Sequence, residues 1–274
     1  MNIQDLVQKL INAGIEENEA KIELKMLLEH FCNYTELDRL KGKILSDDGF
    51  DLISEKVELR VSKRKPIQHI IGESWFMGEM FKVNENVLIP RDETEILVRK
   101  AIEIIKQEGF EDVLDIGTGS GCIACMIAKQ TNATVLGVDI STDALRVALD
   151  NVTRLGINNR AIFRKSDLFE KIREGEVFDL IISNPPYIPE GTELSPEVLQ
   201  EPHCALFAKD DGLEFYKKII EKAPLYLTKG GYLMFELGID EAEQVRSMME
   251  KNFIDIIVEK DLAGIDRIIY GKLA

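Results

Sequence analysis

From residue 111 onward, short apolar runs alternate with amphipathic stretches, and this rhythm limits the fold more than any other feature. EDVLDIG, ATVLGVDI, AIFRKSD and FDLIISN read as buried strands. Between the first three lie SGCIACMIAKQ and STDALRVALDNVTRLG, which read as helices, the second capped by Ser141 or Thr142. GLEFYKKIIEKAPLYL follows as a helix that breaks at Pro224. GGYLMFELG is a fifth strand, IDEAEQVRSMMEKN a helix, and IDIIVEK and DRIIYGK are closing strands. Strands that alternate with helices predict a doubly wound, mostly parallel sheet of seven strands. Ligands of such sheets bind at the carboxyl ends of the strands.

The chain upstream behaves differently. Residues 1–65 read as a helical domain, with Leu6, Leu10, Ile22, Met26 and Leu27 at helical spacing. Ser46 is an expected N-cap, and Pro66 ends that pattern. IQHIIGESWFMGEMFKV predicts a β-hairpin or short strands around Gly72 and Gly78, within a linker at 66–90. A helix follows from IPRDETEILVRK, with Asp92 and Glu95 as a pair resembling a capping box. Residues 91–274 then form the α/β domain.

Three polar motifs sit at the expected strand ends. LDIGTGSGC puts Gly117, Gly119 and Gly121 between a strand and a helix, where glycine lets the backbone turn tightly and approach a ligand. Asp139 ends the next strand, where a carboxylate can accept both hydroxyls of a ribose. This pairing suits nicotinamide cofactors and S-adenosylmethionine alike, and the G-x-G-x-G spacing leans toward the latter. Asp167, in SDLF, can accept an adenine amino group, and Leu168 can cover the ring; a helix N-cap is the competing role for Asp167.

The third motif is Asn184-Pro185-Pro186-Tyr187, directly after FDLIISN. Two prolines end a strand because neither donates a backbone hydrogen bond. Pro186 biases Pro185 toward extended backbone and so fixes the direction of the Pro185 carbonyl. That carbonyl and the Asn184 side-chain oxygen are two rigid acceptors, and Tyr187 adds a flat face. Together they match a planar, conjugated NH2 group with two hydrogens to donate. Oriented this way, the nitrogen lone pair can face a sulfonium methyl for in-line displacement. Glutamine amides and adenine both satisfy the description, so the turn alone leaves the substrate open.

LDIGTGSGCIA, VDIS, SDLF, DLIISNPPYI, EPHCALFAKDDGL, DLAGIDRIIYGK and RKPIQHIIG…VLIPRDETE resemble the peptide chain release factor glutamine methyltransferases over nearly the whole chain. The family usually carries proline where Asp92 stands; Arg91, Thr94 and Glu95 match. The resemblance implies a helical substrate-recognition domain, a hairpin linker and a Rossmann-like methyltransferase domain. It implies methyl transfer from S-adenosylmethionine, leaving S-adenosylhomocysteine, to the glutamine of the Gly-Gly-Gln motif in class 1 release factors. Gly117, Thr118, Gly119, Ser120, Gly121, Asp139, Asp167, Leu168 and Asn184 carry over as cofactor contacts. Asn184, Pro185, Pro186 and Tyr187, with Arg91 and Glu95, carry over to the substrate, and Asn184, Pro185 and Tyr187 to catalysis.

Charge narrows the alternatives. The net charge is −15, split as −3 over residues 1–75 and −12 over the rest. So acidic a domain argues against a large phosphate-tracking surface, and hence against the competing reading as a nucleic-acid adenine-N6 methyltransferase. An inactive cofactor-binding partner subunit would be expected to carry an altered turn, and here it is intact. No run approaches the roughly 18 apolar residues of a membrane span, and MNIQDLVQKLINAGIEENEAK resembles no leader peptide. The expectation is a cytoplasmic monomer. Cys122 and Cys125 form a C-x-x-C without a second pair or a nearby histidine, and read as two small helix residues rather than a metal or redox site.

Overall fold

Apolar side chains of the second half alternate strictly along each central strand, which lets one sheet bury both faces. In the computed structural model, which describes residues 3–274, that sheet has seven strands. They are β3 (Asp112–Ile116), β4 (Thr134–Asp139), β5 (Ala161–Lys165), β6 (Phe178–Ser183), β9 (Leu227–Glu236), β10 (Phe253–Lys260) and β11 (Asp266–Leu273). Their order is β10-β11-β9-β6-β3-β4-β5. The five central and outer strands from β9 to β5 run parallel, and β11 is antiparallel to both β9 and β10. All seven expected strands are present.

Alternation assigns the faces. Val113, Leu180, Ile182, Met234 and Ile268 point to one core, shared with α6 (Asp92–Glu108), α7 (Cys122–Gln130) and α8 (Thr142–Leu155). Leu114, Ile181, Leu233, Phe235 and Ile269 point to the other, shared with α10 (Glu214–Lys222) and α11 (Ala242–Met249). Cys122 and Cys125 are buried in the first core. Strand order reverses between β3 and β6, so the loops after these two strands open the crevice in which such sheets bind ligands.

Local signals explain most element ends. Ser141, not Thr142, caps α8 by accepting from the Ala144 N–H at 3.1 Å. Helix α10 stops at Lys222, and a 3₁₀ turn, Ala223–Leu225, contains Pro224. The expected pairing of Asp92 with Glu95 is not formed. Arg91 occupies the N-cap position without a side-chain bond, and Asp92 is the first helical residue. That first position explains how aspartate can replace proline: its N–H needs no partner there, and a carboxylate favours the positive end of the helix dipole.

Two compact units divide between Glu73 and Ser74, with Leu194–Gln200 grouped in the first. Met1 and Asn2, part of the expected helical domain, lie outside the described residues. The first unit contains α1 (Ile3–Asn12), α2 (Glu17–Cys32), α3 (Glu36–Leu40), α4 (Asp47–Lys63) and α5 (Ile67–Ile71). Ser46 caps α4 as expected, accepting from Gly49 N–H at 3.2 Å. Leu6, Leu10 and Leu27 are buried, whereas Ile22 is 59% exposed and Glu23 is buried in its place. Glu23 is tolerated there because Arg60 of α4, itself 2% exposed, clasps it through three bonds of 2.9–3.0 Å. Arg60 and Arg64 also hold Glu197, at 2.7 and 2.5 Å.

The stretch read as hairpin begins instead with α5. Pro66 stands at its N-cap and Gly72, in left-handed conformation, at its end. The hairpin itself is shorter: β1 (Glu73–Phe76) and β2 (Glu79–Lys82) turn through Met77 and Gly78, both at positive φ. Two further short strands, β7 (Ile188–Pro189) and β8 (Phe207–Ala208), pair in parallel, and α9 (His203–Leu206) precedes the second.

Candidate active site

A pocket opens over the carboxyl ends of β3, β4, β5 and β6, with Gly117, Gly119, Asp139, Asp167, Leu168, Asn184, Pro185 and Pro186 in its wall. The polar motifs of four strand ends, spread from Gly117 to Pro186, therefore converge. Asp139 is the hinge between them. Its Oδ2 accepts from Gly119 N–H at 2.9 Å and its Oδ1 from Ser141 N–H at 2.8 Å. The glycine loop is thus tied to the end of β4 by a carboxylate that still lines the pocket. Burial raises the Asp139 pKa, against these backbone donors.

Other loop residues face inward. Thr118 Oγ1 donates to Asp115 Oδ2 at 2.6 Å, and both are buried. The Ser120 carbonyl accepts from Asn151 Nδ2 at 2.9 Å. Gly121 has φ +79°, and a Cβ there would lie 3.0 Å from both Ala148 and Phe163. These three, expected as cofactor contacts, shape the loop and seat α7 and α8 beneath it; none of them lines the pocket. Asp115 is fully buried, and desolvation pushes its carboxyl up to about 7.

Asp167 begins a turn rather than a helix, so it caps nothing. The turn is built by Ser166, whose hydroxyl donates to the Leu168 carbonyl at 2.8 Å and accepts from Lys171 N–H at 2.9 Å. Leu168 itself adopts φ +46°. Sequence reasoning passed over several pocket residues. Ile140 follows Asp139 and is 55% exposed, offering an apolar face. Asn86, Val87 and Leu88 come from the stretch after β2, and Pro202, Cys204 and Ala205 from around α9. EPHCALF was visible as a motif, yet nothing in its spacing told where it would pack.

At the end of β6, Asn184 and Pro185 line the pocket and Tyr187 turns behind it. Asn184 Nδ2 donates to Thr94 Oγ1 at 3.1 Å, and the Tyr187 hydroxyl donates to Glu236 Oε1 at 3.3 Å. Burial raises the Tyr187 pKa well beyond its ordinary value. Gly212 supports the turn from behind. Its φ is +92°, and a Cβ there would sit 2.3 Å from the Tyr187 carbonyl oxygen, so only glycine fits.

The two residues expected at the substrate are engaged elsewhere. Arg91 forms an ion pair with Glu201, which is 5% exposed and also accepts from Ile89 N–H at 2.8 Å. Glu95 accepts from Met77 N–H at 2.6 Å and from Arg99 at 2.8 Å, fixing the hairpin turn. Both residues position chain segments.

A seven-stranded sheet of this order, with a glycine loop and ribose-spaced carboxylate after adjacent strands, defines an S-adenosylmethionine-dependent methyltransferase. Residues 107–263 match a family model described as a methyltransferase domain. A 16S rRNA guanine-N2 methyltransferase of Thermus thermophilus, solved with AdoMet and guanosine, shares the fold at a TM-score of 0.53 and 18% identity, covering 74% of this chain and 50% of that one. Among curated proteins, the release factor glutamine methyltransferase of Flavobacterium psychrophilum is 39% identical over 264 residues, covering 93% of this chain and 92% of the relative. That of Fusobacterium nucleatum is 41% identical over 235 residues, covering 84% of this chain and 66% of the relative. The chain belongs to the release factor glutamine methyltransferase family. Among the described residues, no helix is long and apolar enough to cross a membrane.

Proposed function

We propose that this protein methylates the side-chain amide nitrogen of a glutamine in peptide chain release factors, the glutamine of the Gly-Gly-Gln motif in the class 1 factors. It acts as a cytoplasmic monomer whose first, helical unit recognises the protein substrate. Membership of the family supports the reading, and one observation carries it on the site: Asn184, with one amide hydrogen engaged by Thr94, lines the same pocket as Asp139.

The residues fit S-adenosylmethionine. Asp139 retains acceptor capacity toward a ribose, because each carboxylate oxygen takes more than one donor. Asp167 offers an acceptor for an adenine amino group, and Ile140 and Leu168 offer apolar faces. When bound, S-adenosylmethionine supplies an electrophilic methyl on its sulfonium.

Asn184 and Pro185 act on the acceptor. The Asn184 oxygen and the Pro185 carbonyl each take one hydrogen of the glutamine NH2, which orients a delocalised and weakly nucleophilic nitrogen. Tyr187, its hydroxyl anchored on Glu236, holds from behind the turn that carries these two acceptors. Asn184 orients and removes no proton. The gain is positional, since aligned reactants avoid much of the entropic cost of encounter.

The test is to incubate the purified protein with S-adenosylmethionine and an intact release factor, then map added methyl by mass spectrometry. A methyl on the Gly-Gly-Gln glutamine is expected. Methyl incorporated into duplex or single-stranded DNA offered in parallel, with none in the factor, would overturn the reading.

A further inference from the structure

Three segments distant in sequence meet on one carboxylate, Glu236, the last residue of β9. It is 1% exposed. Thr94, in the first turn of α6, donates from Oγ1 to Glu236 Oε2 at 2.6 Å. The Tyr187 hydroxyl donates to Oε1 at 3.3 Å. Arg267 of β11 attracts it electrostatically and is itself gripped by Asp261 at 3.0 and 3.2 Å. Asn184 completes the series by donating from Nδ2 to Thr94 Oγ1 at 3.1 Å.

We propose that Glu236, acting through Thr94, is the positioning residue that fixes which edge of the Asn184 amide faces the acceptor nitrogen. This rests on the reading of Asn184 as the group that orients the glutamine NH2.

A primary amide has two edges of nearly equal shape, one accepting and one donating. Against an acceptor NH2, only the oxygen edge makes a bond; the nitrogen edge opposes donor to donor. A hydroxyl cannot choose between them, because it donates and accepts. A carboxylate only accepts. Glu236 therefore takes the Thr94 hydrogen and leaves Thr94 Oγ1 as acceptor for Asn184 Nδ2. That bond turns Oδ1 away from Thr94.

Protonation removes the direction. A neutral Glu236 can donate to Thr94, which frees the Thr94 hydrogen for Asn184 Oδ1 and admits the flipped amide. The groups facing Glu236 are Arg267, which favours the carboxylate, Glu93, which opposes it, the Tyr187 hydroxyl, and the Cys122 thiol. Desolvation dominates and pushes the Glu236 carboxyl up to about 7. The relay thus gains its direction as pH rises through neutrality.

Two readouts test it. In protein carrying ¹⁵N only at asparagine, without bound donor, the Asn184 side-chain NH2 signals are identified by their loss in Asn184→Ala. They are expected to titrate near neutral pH, and to stop doing so in Glu236→Gln. In methyl transfer to a release factor, Thr94→Val is expected to lower kcat roughly 10–100-fold, with donor affinity changed less than about threefold. Thr94→Ser restores most of the loss, and Glu236→Gln loses the acidic limb of the kcat profile. A wild-type NH2 pair that does not titrate, or a folded Thr94→Val protein with undiminished kcat, overturns the relay. Wild-type protein that transfers no methyl to release factor overturns the functional reading instead, while the NH2 titration still decides the relay.

Discussion

Asn184 and Thr94 stand 90 positions apart and meet through one hydrogen bond, Nδ2 to Oγ1 at 3.1 Å. The bond engages the Asn184 nitrogen, and Asn184 lines the pocket that Asp139 also lines. Removing the Asn184 oxygen removes a preorganised acceptor whose partner is the reacting nitrogen. Asn184→Ala is therefore expected to reduce kcat by roughly 10²-fold or more. Donor affinity, measured by calorimetry, should fall far less. A loss fully recovered by saturating donor would instead assign Asn184 to the donor alone.

Asp139 joins the two halves of the donor site, so its removal is expected to act on binding first. Asp139→Ala deletes the acceptor for the ribose and frees Gly119 N–H and Ser141 N–H. Each lost charge-assisted bond is worth roughly 1.5–3 kcal/mol. Calorimetry on folded protein should show S-adenosylmethionine binding weakened by about tenfold at the least. Unchanged affinity would remove Asp139 from the donor site.

Gly212 is expected to be irreplaceable for geometric reasons. A Cβ would overlap the Tyr187 carbonyl oxygen at 2.3 Å and the Glu241 carboxylate at 2.4 Å. In addition, the positive φ disfavours any other residue, at a cost of roughly 1–2 kcal/mol. Gly212→Ala should lower Tm and lose activity through displacement of the turn. Full activity in that variant would mean that the turn tolerates the shift.

The sheet was legible because each strand is a buried run closed by a turn signal, and its period fixes both faces. The glycine loop, Asp139 and the Asn184 turn were legible because local spacing and strand context carry them. Glu236 was not. It lies inside the run YLMFELG, and its partners lie 142 and 49 positions away, so no local pattern marks it. Arg91 and Glu95 were expected at the substrate from a shared motif, whereas their bonds to Glu201 and Met77 join segments 110 and 18 positions apart, which no local pattern displays. Helix α5 was hidden because five residues are too few to display a period. Ile22 was misjudged because burial of Glu23 with Arg60 rotates that face of α2.

Burial of Asp115 gives the folded protein a defined pH response. Its folded pKa, about 7, exceeds the unfolded value of roughly 3.9. The folded state therefore holds a proton that the unfolded state has released across the interval between them. Stability contributed by this group falls as pH rises through that window and is constant above it. Asp115→Asn does not titrate. Urea denaturation at pH 5 and pH 8 should show wild-type stability declining relative to this variant, by on the order of a few kcal/mol, the decline falling between pH 5 and the folded pKa. Equal changes in both proteins would mean that Asp115 is ionised throughout.

The buried pair Glu23–Arg60 separates the stability of the first unit from chemistry in the second. Arg60→Met leaves Glu23, 4% exposed, without its principal partner. Breaking a buried pair from one side costs roughly 3–5 kcal/mol, because the remaining charge stays desolvated. Glu197 keeps Arg64 at 2.5 Å and should suffer less. Hydrogen exchange is expected to accelerate across α2 and α4, while S-adenosylmethionine affinity is unchanged. The double variant Glu23→Leu/Arg60→Met removes both charges and should recover most of the lost protection. Under the proposed recognition role, Arg60→Met should lower kcat/KM for intact release factor and leave a short Gly-Gly-Gln peptide unaffected, because only the intact factor offers contacts beyond the pocket. Equal losses on both substrates would assign the helices a purely structural part. Unchanged kcat/KM on intact factor, with exchange in α2 and α4 accelerated, would reject the recognition role.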